Sequence, residues 1–412
     1  MVSLIASRCV RKLEQLLSRN IWVLLVVSAL FGLAGGMYEL VLPFFLRGIH
    51  LSYFGMALVY AIPFPFIYLM RVYVGDLSDF FGRKIFYSLS LAVGSVSTFL
   101  TPLVPGTLLQ MLLKTSRDAT LPVREAMHSL ILYEEDQSTF TKFIGRTRGS
   151  EFVFLGIGAL LGGYLTSWFA DPSRGPAALR WGNTLSLMLA GGFLLVAFAV
   201  FSTILRQPPF VQRPMQRRSL KEVFTVAVPP KLALMTAFGF VFNLALSISH
   251  TFYMPLFFQE KFGVSLSAVA AVMAIHRFTL GVPLVFAGSH LEKHPKAIYM
   301  TTVALEGGTV FLAGFVGNFY LAAGIWLLHD LVGAGIWTPI QQRYIQQFAR
   351  AESRGADVSK SLGLMQLGNV IGPFIAAALL TWIPLSGPSL ASLPFIVSGA
   401  IVALSSLVLL PL

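Results

Sequence analysis

Residues 75–84 read GDLSDFFGRK and lie between two long apolar runs of the chain. The glycines Gly75 and Gly82 permit a tight backbone path where two helices meet, and Asp79 is placed to accept hydrogen bonds from a helix N-terminus. A degenerate copy of the stretch, GSHLEKHPK, occupies residues 288–296, and its acidic residue follows Asp79 by 213 positions. The stretch therefore predicts a polar turn between two apolar helices, and its copy predicts an internal repeat.

The composition places these apolar runs in a membrane. Hydrophobic residues make up 56% and charged residues 12% of the 412 residues, and the mean hydropathy is +0.75. Soluble globular proteins carry about 25% charged residues, so this composition excludes most soluble folds and intrinsic disorder. A run of about 20 apolar residues is long enough to cross the hydrocarbon layer. The sequence predicts twelve spans, numbered 1 to 12 in chain order: 21–46, 52–74, 85–101, 106–132, 150–169, 183–205, 232–258, 265–287, 297–317, 319–342, 359–383 and 391–410.

The spans fall into two similar halves. Pro43 and Pro255 are 212 positions apart, Pro122 and Pro339 are 217 apart, and the glycines of spans 5 and 11 repeat at an offset of 210. Matches in the same order at nearly constant spacing predict an all-α membrane protein with twelve transmembrane helices in two pseudo-symmetric six-helix bundles, an organisation typical of secondary transporters. We expect four parts: an amphipathic cytoplasmic segment (1–20), the first bundle (21–205), a cytoplasmic linker (206–231) and the second bundle (232–412).

The basic charge lies mostly in the segments that connect the spans. The formal net charge is +12, and with the N-terminus inside, 21 lysines and arginines fall in segments predicted to be cytoplasmic, against four on the opposite side. This asymmetry follows the positive-inside rule, so the charge does not indicate nucleic-acid binding. We therefore predict an integral protein of a bacterial inner (plasma) membrane with both termini in the cytoplasm.

Residues 75–84 resemble the loop signature of the major facilitator superfamily, Gly-x-Leu-x-Asp-x-x-Gly-Arg-Lys, with Asp76 and Phe80 at the variable positions. The resemblance implies the fold of this superfamily, and it extends over nearly the whole chain in helix number, linker and repeat. It also implies a latch between the bundles in the outward-facing state, in which Asp79 meets the start of span 11 and Arg83 pairs with Glu125. The predicted latch residues are Gly75, Asp79, Gly82, Arg83, Lys84, Arg124, Glu125 and Glu292. The alternative is a solvated loop whose basic residues only follow the positive-inside rule.

Charged residues inside the spans are the candidates for function, because an ionisable group at membrane depth is costly unless it faces a partner or a cavity. Glu39 precedes Pro43 by four residues, and proton-coupled drug exporters of the resembled superfamily place an acid at that spacing. The proton-coupling candidates are Glu39, Asp118, Glu306, His329 and Asp330. The substrate-cavity candidates are Arg71, Lys114, Arg117, His250 and Arg277. The alternative for each is a structural hydrogen bond or ion pair.

These features predict a secondary active transporter of the exporter-like, drug/proton antiporter type, which moves a small amphipathic molecule by alternating access and proton-coupled efflux. A proton-coupled importer (symporter) of a polar metabolite and a non-transporting assembly factor with the same fold are the alternatives. The sequence lacks Walker, His-Glu-x-x-His and Gly-x-Ser-x-Gly motifs, so we predict that it is no enzyme. Its single cysteine, Cys9, excludes a cysteine-based metal site, and we expect no metal and no cofactor. The expected partners are a small-molecule substrate, protons and the lipid bilayer, with no nucleic acid, and the expected state is a monomer.

Overall fold

The computed structural model describes residues 19–135, 140–169, 176–207, 228–286, 294–351 and 354–412. Within these ranges the chain forms helices and no strand, in agreement with the all-α prediction. The α-helices are α1 (Arg19–Gly48), α2 (Tyr53–Ala61), α3 (Pro63–Phe81), α4 (Arg83–Leu100), α5 (Thr107–Ala119), α6 (Leu121–Glu135), α7 (Phe140–Phe169), α8 (Pro176–Ile204), α9 (Pro230–His250), α10 (Tyr253–Phe262), α11 (Leu266–Phe286), α12 (Pro295–Phe315), α13 (Phe319–His329), α14 (Gly335–Phe348), α15 (Arg354–Gln366), α16 (Gly368–Trp382) and α17 (Gly387–Ser405). Most of the predicted N-terminal segment (1–20) and linker (206–231) lies outside the described residues.

The apolar helices match the predicted spans with one exception. Ten helical segments of the described chain are long and apolar enough to cross a membrane, and a shorter apolar helix, Leu266–Leu280, corresponds to span 8. Span 4, formed by α5 and α6, is not among them because charged residues such as Lys114, Arg117 and Asp118 lower its hydropathy. The chain is an all-α membrane protein in which span 4 departs most from an apolar helix.

Among the described residues, five of the predicted spans are interrupted rather than continuous. The interruptions lie at Ile62 (span 2), Thr120 (span 4), Thr251 and Phe252 (span 7), a π-helical turn at Asp330–Ala334 (span 10) and Leu367 (span 11). In spans 2, 4 and 7 a proline follows the interruption within three residues. Proline has no backbone N–H and a fixed φ, so it starts a new helical segment more readily than it continues one.

The helices pack as two groups that correspond to the predicted halves. In the first half α1 packs against α7 and α8, and in the second half α9 packs against α16 and α17. Glycines permit both approaches, because a Cβ added at Gly158 or at Gly368 would lie 2.2 Å from a backbone oxygen, that of Leu33 or Phe240 respectively. Between the halves, α7 contacts α11 and α2 contacts α16. Equivalent pairs of spans, 1 with 5 and 7 with 11, therefore make equivalent close contacts.

The buried apolar side chains form three clusters in the described chain. One cluster, which contains Phe201, belongs to the first half, and another, which contains Phe238, belongs to the second. The largest cluster joins the two halves and includes Phe45 and Phe257. It extends to the end of the bundles where span 1 connects to span 2 and span 7 to span 8, which we call the predicted outer end. Burial of these apolar side chains thus holds the two halves together at the predicted outer end.

Candidate substrate cavity and its ionisable clusters

A cavity of about 280 Å³ lies between the two halves of the described chain. Both halves contribute charged and aromatic side chains to its wall. The lining includes Tyr38, Glu39, Tyr60, Phe64, Lys114 and Asp118 from the first half, and His250, Thr251, Met273 and Arg277 from the second. A mostly apolar wall with a few convergent polar groups is the usual construction of a small-molecule site.

An ion pair joins the two halves in this cavity. The distance between Nη2 of Arg277, on α11, and Oε2 of Glu39, on α1, is 2.6 Å. The side chain of Glu39 is 48% exposed and that of Arg277 is 25% exposed. The pair therefore connects α1 to α11 while the carboxylate of Glu39 remains open to the cavity.

A second, more deeply buried cluster lies on α5. The Asp118 carboxylate accepts a hydrogen bond from Nη1 of Arg117 at 2.7 Å and another from Nζ of Lys114. The Arg117 guanidinium lies 3.9 Å from the ring centroid of Tyr38, and the Lys114 ammonium lies 4.5 Å from that of Tyr60. The carboxylate and the aromatic faces both stabilise the buried cations.

Arg124 and Glu125, at the start of α6, take part in contacts within the first half. Arg124 is buried and its Nη2 lies 2.7 Å from Oε1 of Glu151 on α7. Glu125 lies 3.5 Å from Arg148 and 3.8 Å from Arg71, both partly exposed. Lys114, Arg117 and Arg124 therefore share a span but not one cluster, because the interruption at Thr120 separates α5 from α6.

The loop between spans 2 and 3 is anchored to its own half. Gly82 connects α3 to α4 with a φ of 91°, which favours glycine. Nε of Arg83 lies 3.2 Å from Oε1 of Glu134, and Nζ of Lys84 donates to the backbone oxygen of Leu205 at 2.7 Å. Glu134, nine residues after Glu125 on α6, lies beside Arg83 in this structure, and the pairing of Arg83 with Glu125 in the outward-facing state stays a prediction.

Three of the predicted latch residues lie wholly or partly outside the described residues. Gly75 and Asp79 belong to the backbone of α3 but their contacts are not among those described, and Glu292 lies outside the described residues altogether. The predicted contact of Asp79 with the start of span 11 stays a prediction.

At the predicted outer end, hydrogen bonds and an ion pair connect the two halves. The hydroxyl of Tyr53, the first residue of α2, lies 2.9 Å and 3.0 Å from the two carboxylate oxygens of Glu260 on α10. Nε of Arg47 lies 3.9 Å from the same carboxylate, and its guanidinium lies 4.5 Å from the Tyr53 ring centroid. These contacts link the two halves at this end of the bundles.

A buried cluster of imidazoles and a carboxylate lies behind the cavity in the second half. Nδ1 of His276, on α11, is 2.7 Å from Oδ2 of Asp330, and Nε2 of His329 is 3.3 Å from Oδ1 of the same residue. The hydroxyl of Thr279 donates to Oδ2 of Asp330 at 2.9 Å. Asp330 is completely buried and is the first residue of the π-helical turn in span 10. We call His276, His329 and Asp330 the imidazole cluster.

His250 connects the cavity to the imidazole cluster. Its Nε2 accepts a hydrogen bond from the indole N–H of Trp326 at 3.2 Å, and its ring centroid is 5.3 Å from that of His329. Its Nδ1 is 2.6 Å from the hydroxyl of Ser249. His250 also lines the cavity, so a single ring separates the cavity from the cluster.

Glu306, on α12, is buried away from the cavity. Its carboxylate accepts a hydrogen bond from the indole N–H of Trp337. A Cβ added at Gly333 would lie 2.6 Å from Cβ of Glu306, so the glycine makes room for this side chain beside the π-helical turn. Glu306 therefore packs inside the second half, beside Trp337 and Gly333, and does not line the cavity.

The sequence of the chain matches a known family. A family model described as the Major Facilitator Superfamily matches residues 24–356. The chain belongs to the major facilitator superfamily. Family membership and the fold support the prediction of a membrane transporter rather than an enzyme. No curated protein sequence matches the chain.

Solved structures of major facilitator superfamily transporters have the same fold. The nucleoside transporter NupG (D323A mutant) is 11% identical with a TM-score of 0.79, and the similarity covers 95% of this chain and 99% of that one. A bacterial homologue of the human lysosomal transporter Spinster, inward-facing and occupied, is 15% identical with a TM-score of 0.73 over 94% and 95% of the two chains. A structure titled for substrate recognition in proton dependent oligopeptide transporters is 13% identical, with a TM-score of 0.71 over 95% and 98%. At these identities the similarity establishes the fold.

The structure of this superfamily member brings together only part of the predicted site. The cavity is lined by five of the ten predicted coupling and substrate residues: Glu39, Lys114, Asp118, His250 and Arg277. Arg117 is buried behind Tyr38, while His329 and Asp330 lie in the imidazole cluster. Arg71 and Glu306 are in other surroundings, beside Glu125 and Trp337.

Sequence reasoning missed the residues that complete these clusters. Tyr38 and Tyr60 supply the aromatic faces for the cations of α5, but a tyrosine in an apolar span gives no signal of its own. Glu151 was placed at the start of span 5, whereas α7 begins at Phe140 and carries Glu151 well inside the helix. The charged residues between positions 140 and 150 obscured this extension, because an apolar window ends where they begin.

Proposed function

We propose that this protein is a proton-coupled secondary transporter that exports a small amphipathic molecule by antiport, through alternating access of the cavity between its halves. Glu39 carries the proton in this proposal, and Arg277 is its partner. The observation that supports it is the ion pair of these two residues across the cavity, at 2.6 Å, with about half of the Glu39 side chain exposed.

The pair offers a physical basis for exchange. While Glu39 is ionised it holds Arg277, and the pair occupies the polar part of the cavity. Protonation of Glu39 removes its charge, which releases Arg277 for hydrogen bonding to a substrate and weakens the link between α1 and α11. Proton and substrate then influence each other through one shared group, which is the requirement for thermodynamic coupling.

The rest of the lining supports an amphipathic substrate. Tyr60 and Phe64 provide aromatic surface, and Met273 adds a flexible apolar side chain. The charges of Lys114 and Asp118 largely satisfy each other. Arg277 is the cavity cation whose partner changes charge in the proposed cycle, so we expect the substrate to present a hydrogen-bond acceptor to it.

An importer is the second candidate, because the cavity carries charges of both signs, as a site for a polar metabolite would. Proteoliposomes loaded with candidate ligands distinguish the two directions. Efflux that is driven by an opposing proton gradient and abolished by a protonophore supports antiport, whereas uptake driven by an inward proton gradient supports the importer. Absence of flux with every ligand, together with stable co-purification of a partner protein, overturns transport and favours an assembly factor.

The role of Glu39 is tested with Glu39→Gln. We expect this variant to retain ligand binding in a thermal-shift assay, to lose the pH dependence of that binding between two pH values, and to lose at least about tenfold of gradient-driven transport. Glu135→Gln is the matched control, because Glu135 is also a partly exposed, hydrogen-bonded carboxylate, held by Asn20, but lies outside the cavity and the predicted latch. Unchanged gradient-driven transport in Glu39→Gln removes Glu39 from the mechanism.

A further inference from the structure

The imidazole cluster has the composition and spacing of a metal site. His276, His329 and Asp330 each present one ligand atom, and these atoms lie within 4.8 Å of one another. All three residues are buried. They come from two different spans, since His276 is on α11 and the other two are at the junction of α13 with the π-helical turn. From this geometry we propose that the cluster binds a divalent transition-metal ion such as Zn²⁺.

The hydrogen bonds of His329 indicate that a cation belongs between its ring and Asp330. Nδ1 of His329 contacts the backbone oxygen of Trp326, and a carbonyl oxygen only accepts, so the ring proton is assigned to Nδ1. In the neutral ring Nε2 then presents a lone pair to Oδ1 of Asp330, 3.3 Å away. Oδ1 is buried and has no hydrogen-bond donor within the described residues. Two acceptors that face each other in a buried place are stabilised by a cation held between them.

The neighbouring groups are those that commonly support a metal. The Trp326 carbonyl fixes the orientation of the His329 ring, and the Thr279 hydroxyl orients the Asp330 carboxylate through a hydrogen bond to Oδ2. Such outer contacts set the tautomer and position of metal ligands. Two imidazoles and one carboxylate suit Zn²⁺ and similar transition metals, and three protein ligands leave a position for water or a fourth ligand.

The backbone at the cluster is specialised in the same way. The π-helical turn at Asp330–Ala334 interrupts span 10 directly after His329 and begins with Asp330. Short π-helical segments occur frequently at functional sites. His250 lies between the cluster and the cavity, and its ring centroid is 5.3 Å from that of His329.

Cobalt(II) is the probe for this site, because it replaces Zn²⁺ and has visible absorption bands that report nitrogen and oxygen ligation. The full-length protein is purified in detergent without a polyhistidine tag, stripped with a chelator and titrated with Co²⁺, and Zn²⁺ binding is measured by calorimetry. We expect one ion per chain, and an affinity loss of at least about 100-fold in His329→Gln and Asp330→Asn. His128→Gln is the matched control, since His128 is an equally buried histidine of the first half, held by Tyr87 and Thr147.

The outcomes separate metal binding from other roles of the cluster. Co²⁺ bands in the wild type and in His128→Gln, but not in the cluster variants, support the site. If Asp330→Asn does not give a monodisperse protein, His276→Gln provides the same test from α11. Absence of metal binding in the wild type, or equal binding in all variants, overturns the site. The site is also overturned if the cluster variants change only the pH dependence of transport, because that result assigns the cluster to protons.

Discussion

Spans 4 and 10 occupy corresponding places in the two halves, aligned by Pro122 and Pro339, but they hold different kinds of buried cluster. In span 4 the carboxylate of Asp118 is bonded to two cations of its own helix. In span 10 the carboxylate of Asp330 faces two imidazoles, one of them from α11. Each cluster lies beside an interruption of its span, at Thr120 and at the π-helical turn respectively.

The difference indicates that the two buried clusters have different functions. Arginine stays protonated at any physiological pH, so the cluster of span 4 keeps its charge and supports the wall of the cavity. Imidazole is the side chain whose charge changes most readily near neutral pH, and in its neutral form it is the commonest protein ligand for metals. The cluster of span 10 is therefore able to gain and lose a cation. The first half thus holds a cluster of fixed charge, and the second half holds a cluster whose charge can change.

The largest expected effect on stability comes from removing the charge of the carboxylate in the span 4 cluster. Asp118→Asn leaves two buried cations without their counter-ion, and breaking a buried pair in this way costs about 3–5 kcal/mol. Asp330→Asn in metal-free protein leaves no fixed cation unpaired, so we expect a loss of about 1–3 kcal/mol from its hydrogen bonds. Thermal unfolding followed by tryptophan fluorescence compares the two variants in the same detergent.

Asp118→Glu is the control for the first variant, because it keeps the charge and we expect it to recover part of the lost stability. Equal destabilisation by Asp118→Asn and Asp330→Asn contradicts the division between a fixed and an adjustable cluster.

A smaller effect is expected where the halves resemble each other most, at the glycine contacts of spans 1 with 5 and 7 with 11. Gly158→Ala places a Cβ 2.2 Å from the backbone oxygen of Leu33, and such overpacking costs about 1–3 kcal/mol. Gly368→Ala makes the same contact with Phe240 and is expected to cost a similar amount. Thermal unfolding measures both.

Gly145→Ala, on the same helix as Gly158, is the control because nothing lies within 4 Å of its added Cβ. Alanine in an open helical position stabilises by roughly 0.5–1 kcal/mol relative to glycine, so the control has the opposite sign. If Gly158→Ala is as stable as Gly145→Ala, the result contradicts the close packing of α1 against α7.

The fold was largely predictable from the sequence because it depends on local and repeated features. Apolar runs set the spans, and the paired prolines and glycines at offsets of 210–217 set the two halves. The interruptions inside five spans were not predicted. The apolar run continues through Ile62, and polar residues like those around Thr251 and Leu367 also occur inside continuous helices, so the hydrophobic pattern alone does not reveal a break in the backbone hydrogen bonds.

The sequence indicated candidate residues for the site but not which of them bond to each other. Their depth in the membrane made Glu39 and Arg277 candidates, yet only the packing of α1 against the second half shows that they bond to each other. Arg83 was assigned to Glu125, and the structure gives it Glu134 nine residues further along. Helix rotation decides such partners, and it is set by the contacts of all the neighbouring helices together.

The smallest expected effect tests whether the two halves move as separate bodies. Tyr53→Phe removes the hydroxyl that contacts Glu260 across the predicted outer end, at 2.9 Å and 3.0 Å. One hydrogen bond contributes about 0.5–1.5 kcal/mol, so opening at this end becomes roughly 2- to 10-fold more frequent. The readout is the rate at which a membrane-impermeant thiol reagent labels Met254→Cys, a cavity position, in a Cys9→Ser background. Tyr164→Phe, which changes an exposed tyrosine of α7, is expected to leave the labelling rate unchanged. Because Tyr53 and Glu260 belong to different halves, an equal rate in both variants means that this contact does not restrain the motion of one half against the other.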